Sequence, residues 1–329
     1  MAMPAVAQTS KSVGEMLSDV IKYYTDADFD KGIAAAHVLM IRKDLNAKDS
    51  VAIYAALSML TYAKGEQYLT NSFEFLEKIA AMGPCKIHLP YEFWPQQVRN
   101  QWYKILRNRG GALTCPEESN PSIKTIAIME FDNYSTGKYQ QELGFVTKGL
   151  ADFFENDFSK ISSLKVVERD KIDYILKEIQ LSQSGMVSSS TAIQVGKLLG
   201  AQLMVFGSVT QIDDKTAKML IKVVNVETSE IIASVDKEGK PDLFKMEKEM
   251  VPELAKKLDL TINPQTKALL DENGTESADA ATLYSKGLYY MDQYDYKKAY
   301  EFFKSAYEKD KNFAEAKRKM DIYRPLAAS

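Results

Sequence analysis

The sequence predicts an α/β (α+β) fold: a mixed sheet with its helices in the middle of the chain, flanked by all-α helical hairpins at both ends. Three observations carry this reading. Apolar residues recur at intervals of 3, 4 and 7 through the first hundred residues. From Ile123 onward, short β-branched runs alternate with helical stripes. After Ala278 the helical period returns, now rich in tyrosine. The predicted boundaries are a helical domain at 11–110, a linker at 111–121, an α/β domain at 122–262, a second linker at 263–277 and a helical hairpin at 278–324.

In the first domain, Val13, Met16, Leu17, Val20, Ile21 and Tyr24 form one apolar stripe, and Phe29, Ile33, Ala36 and Met40 form another after the short turn "DAD". Val51, Tyr54, Ala55, Ser58, Met59 and Tyr62 pattern a third helix, whose many small residues let a neighbour approach closely. Phe73, Leu76, Ile79 and Ala80 pattern a fourth, stopped by Gly83-Pro84. A fifth runs roughly from Pro95 to Arg107 and ends at Gly110-Gly111, before the linker "CPEESNPS".

The middle domain opens with the strand "IKTIAIMEF", followed by a helix striped by Leu143, Val146, Leu150, Phe153, Phe154, Phe158 and Ile161. A short strand "LKVVE" comes next, then a helix capped by Asp170 that carries Ile172, Ile175, Leu176 and Ile179. After "SQSGMVSSS" another helix reaches Leu199 and stops at Gly200. "AQLMVFGSVTQID", "AKMLIKVVNV" and "IIASVD" read as three antiparallel strands beside the first, closed by a helix from about Asp242 to Leu258.

The stretch "IAIMEFDNYSTGKYQQELG" invites a phosphate-loop reading. A Walker loop needs glycine where Asp132 stands and Ser or Thr where Tyr139 stands, so the turn is predicted to bind no nucleotide. Other chemistries are excluded on similar grounds. His37 and His88 are the only histidines, which leaves no Ser-His-Asp or Cys-His set with a flanking motif. Glu168-Arg169-Asp170 is a strand-to-helix junction with capping and ion-pairing work. No catalytic, cofactor-binding or metal-ligating residue is assigned, and the chain is read as not an enzyme. The charge balance of 42 Lys plus Arg against 45 Asp plus Glu, a net −3, offers nucleic acid no long-range attraction. No run of eighteen apolar residues marks a transmembrane segment.

Cys85 and Cys115, the only cysteines, both lie in turns marked by proline and glycine, a placement that suits a disulfide. Near the start, Ala5-Val6-Ala7 before Gln8 has the small-x-small pattern that signal peptidase cuts after. The expectation is a periplasmic protein whose signal peptide is trimmed from this sequence; an ordinary flexible N-terminus of a cytoplasmic protein is the alternative.

"IAIMEFDN", "VVERDKIDYILKE", "VGKLLGAQLMVFGSV" and "IKVVNVETSEIIASV", in that order, resemble the CsgG-like domain of curli-secretion channels and related envelope proteins, over about Ile123 to Leu258. In that family the polar turn after the first strand leads into a helix without nucleotide chemistry. This chain departs from the family in two places. Ser229 stands where a glycine is usual, and the hairpins that form the channel's membrane barrel are missing: about ten residues separate Val209 from Leu220, and one membrane strand needs roughly nine to eleven.

The tail "ATLYSKGLYYMDQYDYKKAYEFFKSAYEKDKNFAEAKRKM" is similar to a tetratricopeptide (TPR) repeat, with Gly287, Tyr290, Ala299, Phe303 and Ala306 at its small and aromatic positions; the N-terminal hairpins are TPR-like more loosely. Its tyrosines read chiefly as packing, with a peptide-binding groove as the other reading and Tyr284, Tyr290 and Tyr294 as the candidate partner-binding residues. The resemblances together imply a soluble envelope scaffold or accessory protein, forming a homo-oligomer through the CsgG-like domain and binding protein partners of a secretion or envelope machine. The alternatives are a regulator of a peptidoglycan synthase or other envelope enzyme, and a cytoplasmic TPR adaptor.

Overall fold

The computed structural model describes residues 11–83, 94–110, 113, 123–178, 189–272, 274–275 and 277–327. The chain divides into two compact units, one of Met1–Ile105 with Arg324–Ser329 and one of Leu106–Tyr323.

The first unit is helical: α1 (Val13–Thr25), α2 (Phe29–Met40), α3 (Ala47–Ala63), α4 (Leu69–Ala81) and most of α5 (Gln96–Asn108). Two starts are fixed by reciprocal capping. Ser12 accepts from the Glu15 N–H while the Glu15 carboxylate accepts from the Ser12 N–H, and Asn46 and Asp49 do the same for α3. The small-residue reading of α3 holds, because that helix is buried on nearly every side from Val51 to Ala63. Its Ser58 lies 3.1 Å from the Ser72 hydroxyl of α4, and a Cβ at Gly32 of α2 would meet Leu60 of α3 at 2.7 Å.

The second unit is built on a six-stranded sheet in the order β3-β1-β4-β5-β6, with β2 paired to β4. In chain order it holds β1 (Lys124–Ile128), β2 (Asp132–Asn133), α6 (Lys138–Glu142), α7 (Val146–Ser159), β3 (Leu164–Val167), α8 (Arg169–Glu178), α9 (Ser189–Leu199), β4 (Leu203–Gln211), β5 (Ala217–Asn225), β6 (Ile231–Gly239), α10 (Leu243–Lys257), α11 (Pro264–Glu272), α12 (Ala278–Asp292), α13 (Tyr296–Lys309) and most of α14 (Ala314–Ala327). β1 runs parallel to β3 and β4, with Ile126 opposite Val166 on one side and Leu203 on the other, while β4, β5 and β6 are antiparallel. The predicted meander beside the first strand and its closing helix are thus observed.

Strand parity separates the helical layers. Gly207 of β4 lies against Phe131, whose ring stacks on Phe154 of α7 at 5.3 Å, whereas Met204, three residues earlier and on the opposite face, lies against Gly196 of α9. α7 and α10 cover one face together: Phe153 meets Phe244 at 4.8 Å. The C-terminal helix α12 packs on the outside of α7, closely enough that a Cβ at Gly149 would fall 1.8 Å from the Ser285 hydroxyl.

Several details differ from the sequence reading. The first strand breaks after Ile128 and resumes as β2, because Phe131 turns its ring over Gly207, where any side chain would collide. Asp170 is not the cap of α8 but sits in its first turn, since the helix starts at Arg169. Part of the predicted 263–277 linker is α11, started by Asn263, whose side chain accepts from the Thr266 N–H at 2.7 Å, and by Pro264 at the first helical position. Ser229, where glycine is usual, does adopt positive φ at 64°.

Candidate interaction surfaces

The turn after β1 is closed by its own side chains. Asn133 donates to the Gln140 carbonyl at 3.0 Å and accepts from the Ser135 N–H at 3.0 Å, while the Ser135 hydroxyl accepts from the Gln211 N–H at 2.7 Å. Lys138 and Tyr139, the residues at the tempting phosphate positions, both donate to Asp214, at 2.8 and 2.9 Å. The lysine a phosphate would need is held in an exposed ion pair with the β4–β5 turn.

The tyrosine-rich helices make the more elaborate junction. Tyr284 of α12 is completely buried. Its ring sits among Phe153, Phe303 and Phe313, with centroids 5.0 to 5.8 Å away, and its hydroxyl donates to Asp152 of α7 at 2.7 Å. It therefore presents no surface to a partner, which is a correction to its candidacy as a binding residue. Burial is also the first reason its phenol is held well above the usual range, ahead of the neighbouring Asp152 carboxylate. Tyr290 is half-buried, stacked on Phe302 at 5.3 Å with the Lys298 ammonium 5.0 Å from its ring. Tyr294, at the end of the hairpin turn, is 39% exposed. Of the three, Tyr290 and Tyr294 alone reach the surface.

At the C-terminal end of α12 lies an ionic centre that no sequence signal marked. Asp292 meets Lys148 of α7 and receives both terminal nitrogens of Arg169 of α8 at 3.3 Å, all three side chains being largely buried. Glu130, after β1, is 3.8 Å from Lys148. Glu168, for which the sequence offers Arg169 or a nearby lysine as partner, lies 3.8 Å from Lys171. Asp173, on the same helix, is pushed up to about 6, first by burial and against the pull of Arg169 and Lys148. Asp292 is held below the usual carboxylate range, its burial outweighed by the two cations.

The sheet presents a third surface. β6 pairs with β5 alone among the described strands, and Ile231 and Ile232 at its start are 57% and 41% exposed. Farther along, Lys237 pairs with Glu249 of α10. His37 is exposed on α2; His88, Cys85 and Cys115 lie outside the described residues, and the proposed disulfide with them. Among the described residues no group of three His, Cys, Asp or Glu is placed to hold a metal ion, and no helix is long and apolar enough to cross a membrane.

A family model described as curli production assembly/transport component CsgG matches residues 114–220. The resemblance read from the sequence is upheld over that stretch, which runs from before β1 into β5. Solved structures similar to this chain include the LpoB C-terminal domain from Salmonella enterica, at 16% identity over 37% of this chain and 85% of that one, with a TM-score of 0.29. The LpoB C-terminal domain from Escherichia coli matches at 18% identity over 35% and 80%, with a TM-score of 0.28. A PelC dodecamer from Paraburkholderia phytofirmans matches at 11% identity over 44% and 95%, with a TM-score of 0.27. No curated protein matches the chain in sequence.

Proposed function

We propose that this protein is a non-enzymatic accessory or scaffold protein of the cell envelope, exported to the periplasm, that self-associates through its CsgG-like domain and meets protein partners through its helical ends. The observation that carries the reading is the CsgG match over residues 114–220, from before β1 into β5. The β6 edge supports it, since among the described strands β6 pairs with β5 alone, and that edge beside exposed Ile231 and Ile232 is a ready surface for a second copy. Tyr290 and Tyr294 are the tail residues available to a partner, and the proposed Cys85–Cys115 bridge belongs to the same exported state.

A second reading has its own support. α12 lies on α7 of the same chain, so the C-terminal helices cover the core instead of reaching for a neighbour; a monomeric regulator gripping an envelope enzyme fits that arrangement. Light scattering across a concentration series separates the two. The scaffold reading expects masses that are multiples of 37.0 kDa, falling to the monomer in Ile232→Lys. A strictly monomeric mass at high concentration overturns self-association and favours the regulator. Two free thiols in protein recovered from the periplasm would remove the bridge.

A further inference from the structure

α10 ends at Lys257, the chain turns through Asp259 at φ 55°, and the residues up to Asn263 cross to α11 outside any helix or strand. Between α10, this crossing and α11 opens a groove of about 950 Å³, at the upper end of the range for drug-sized ligands and roomy enough for a short peptide.

Three features of the groove point the same way. Its apolar part comes from Val251 of α10, Leu260 and Ile262 of the crossing, and Leu270 of α11. One of its lysines is part of the wall: Lys248 donates to Asp157 at 2.6 Å, and that carboxylate, 1% exposed, also takes Lys160 at 2.7 Å. Beside them Glu247, wholly buried, is pushed well above the usual carboxylate range by burial first and then by Asp157. The other two lysines, Lys256 and Lys267, are exposed and take part in no ion pair among the described residues, with Asp259 the only further carboxylate on the lining. Lys257, next along the helix, is instead directed to the Ser234 carbonyl at 2.9 Å.

The third feature is backbone. The N–H and C=O groups of Thr261 and Ile262, which line the groove, make no hydrogen bond among the described residues. An acyl chain has no use for such donors and acceptors, and a small anion could use only the N–H groups; another polypeptide laid beside the segment uses both.

We propose that this groove binds a short acidic peptide segment of a partner protein. Its carboxylates meet Lys256 and Lys267, an apolar side chain lies on Val251 and Leu270, and its backbone pairs with Thr261 and Ile262. The site is separate from β6 and from the tyrosine tail, so it stands whether or not the protein self-associates.

The test is fluorescence anisotropy on the full chain with a labelled peptide of alternating Glu and Leu. Saturable binding is expected. Exchange of Glu for Gln in the peptide, or Lys256→Glu with Lys267→Glu in the protein, is expected to weaken it at least about tenfold; N-methylation of the peptide backbone weakens it several-fold. Both lysines are exposed, so the variant keeps its fold, checked by its thermal transition. Lys215→Glu with Lys297→Glu, exposed lysines off the groove, should change nothing. Absence of saturable binding, or an equal loss in the control variant, overturns the proposal. Flotation with phosphatidylglycerol vesicles that depends on Lys256 and Lys267, without peptide binding, also overturns it and gives the groove to a lipid anion.

Discussion

The turn between α1 and α2 and the turn between α12 and α13 are built to one plan in two different units. In each a non-glycine residue takes positive φ, Ala27 at 58° and Tyr294 at 59°. The N–H of the following aspartate reaches back five residues, Asp28 to the Tyr23 carbonyl at 2.9 Å and Asp295 to the Tyr290 carbonyl at 3.0 Å. Each aspartate then pairs with the lysine three residues on, Lys31 at 2.5 Å and Lys298 at 2.8 Å. The uses of the two hairpins diverge one step outward. Two residues before the positive-φ position the N-terminal turn has Thr25, whose hydroxyl donates to the Lys22 carbonyl at 2.8 Å, while the C-terminal turn has Asp292, which holds Lys148 and Arg169 of the core. Local chemistry sets the hairpin, and the outward-facing residues set what it docks against.

The sharpest way to break this comparison is at those two equivalent positions. Asp292→Ala leaves Lys148 and Arg169, with side chains 13% and 6% exposed, without their main counter-charge, and removing one partner of such a buried cluster costs about 3 to 5 kcal/mol. Asp173 recovers part of this by ionising more readily once Asp292 is gone. Thr25→Ala removes one exposed local hydrogen bond, worth about 0.5 to 1.5 kcal/mol at most. Chemical denaturation measures both, and losses of equal size would mean that the two hairpins differ less than their contacts imply.

Glycines make a second contrast. Gly149→Ala drives a methyl into Ser285 across the α7–α12 contact, where overpacking costs about 1 to 3 kcal/mol. Ser285→Gly in the same chain should restore much of it. In α1, a Cβ at Gly14 meets nothing within 4 Å, so Gly14→Ala should stabilise by about 0.5 to 1 kcal/mol. The same substitution thus changes sign between the two regions.

What the sequence disclosed follows from how far apart the interacting residues lie. The meander was legible because alternation is local: in β4 the odd-numbered residues from Leu203 to Val209 are buried while Phe206 and Ser208 are only partly covered. The helix starts were legible where a cap and its partner are three residues apart, as with Ser12 and Glu15. By contrast, Arg169 and Asp292 are separated by 123 positions, and nothing near Arg169 distinguishes a partner across the fold from the adjacent Glu168. β2 was hidden for another reason. Asp132 and Asn133 are a polar pair, and they join the sheet only because Phe131 turns onto Gly207 and keeps the chain beside β4. Tyr284 carried an ambiguous signal, since its spacing fits a surface stripe as well as a core, and only the arrival of α12 on α7 buries it.

The burial of a carboxyl on α7 also predicts a pH dependence. Glu155 of α7 is pushed up to about 8, first by burial and then by Asp152, against the pull of Arg169 and Lys319. The folded protein then keeps a proton on Glu155 that the unfolded chain releases above its ordinary value of 4.5. The contribution of this group to stability therefore falls as pH rises from 4.5 to about 8 and is level beyond. Glu155→Gln removes that contribution, so the stability of the variant over that of the parent should grow across the window and then stop growing. A difference that does not change with pH in denaturant titrations would show that Glu155 ionises normally in the fold.

The smallest effect tests the shared plan itself. A residue with a Cβ held in the left-handed region carries about 1 to 2 kcal/mol of strain, and glycine relieves it while losing more freedom on folding. Ala27→Gly, at φ 58° in an exposed turn, should therefore gain up to about 1 kcal/mol, seen as a higher midpoint. Tyr294→Gly relieves the same strain at φ 59° but loses a ring whose centroid lies 6.4 Å from that of Tyr296, so its gain should be smaller or absent. If Ala27→Gly destabilises instead, the positive φ at that turn is not what the hairpin requires, and the likeness of the two turns is superficial.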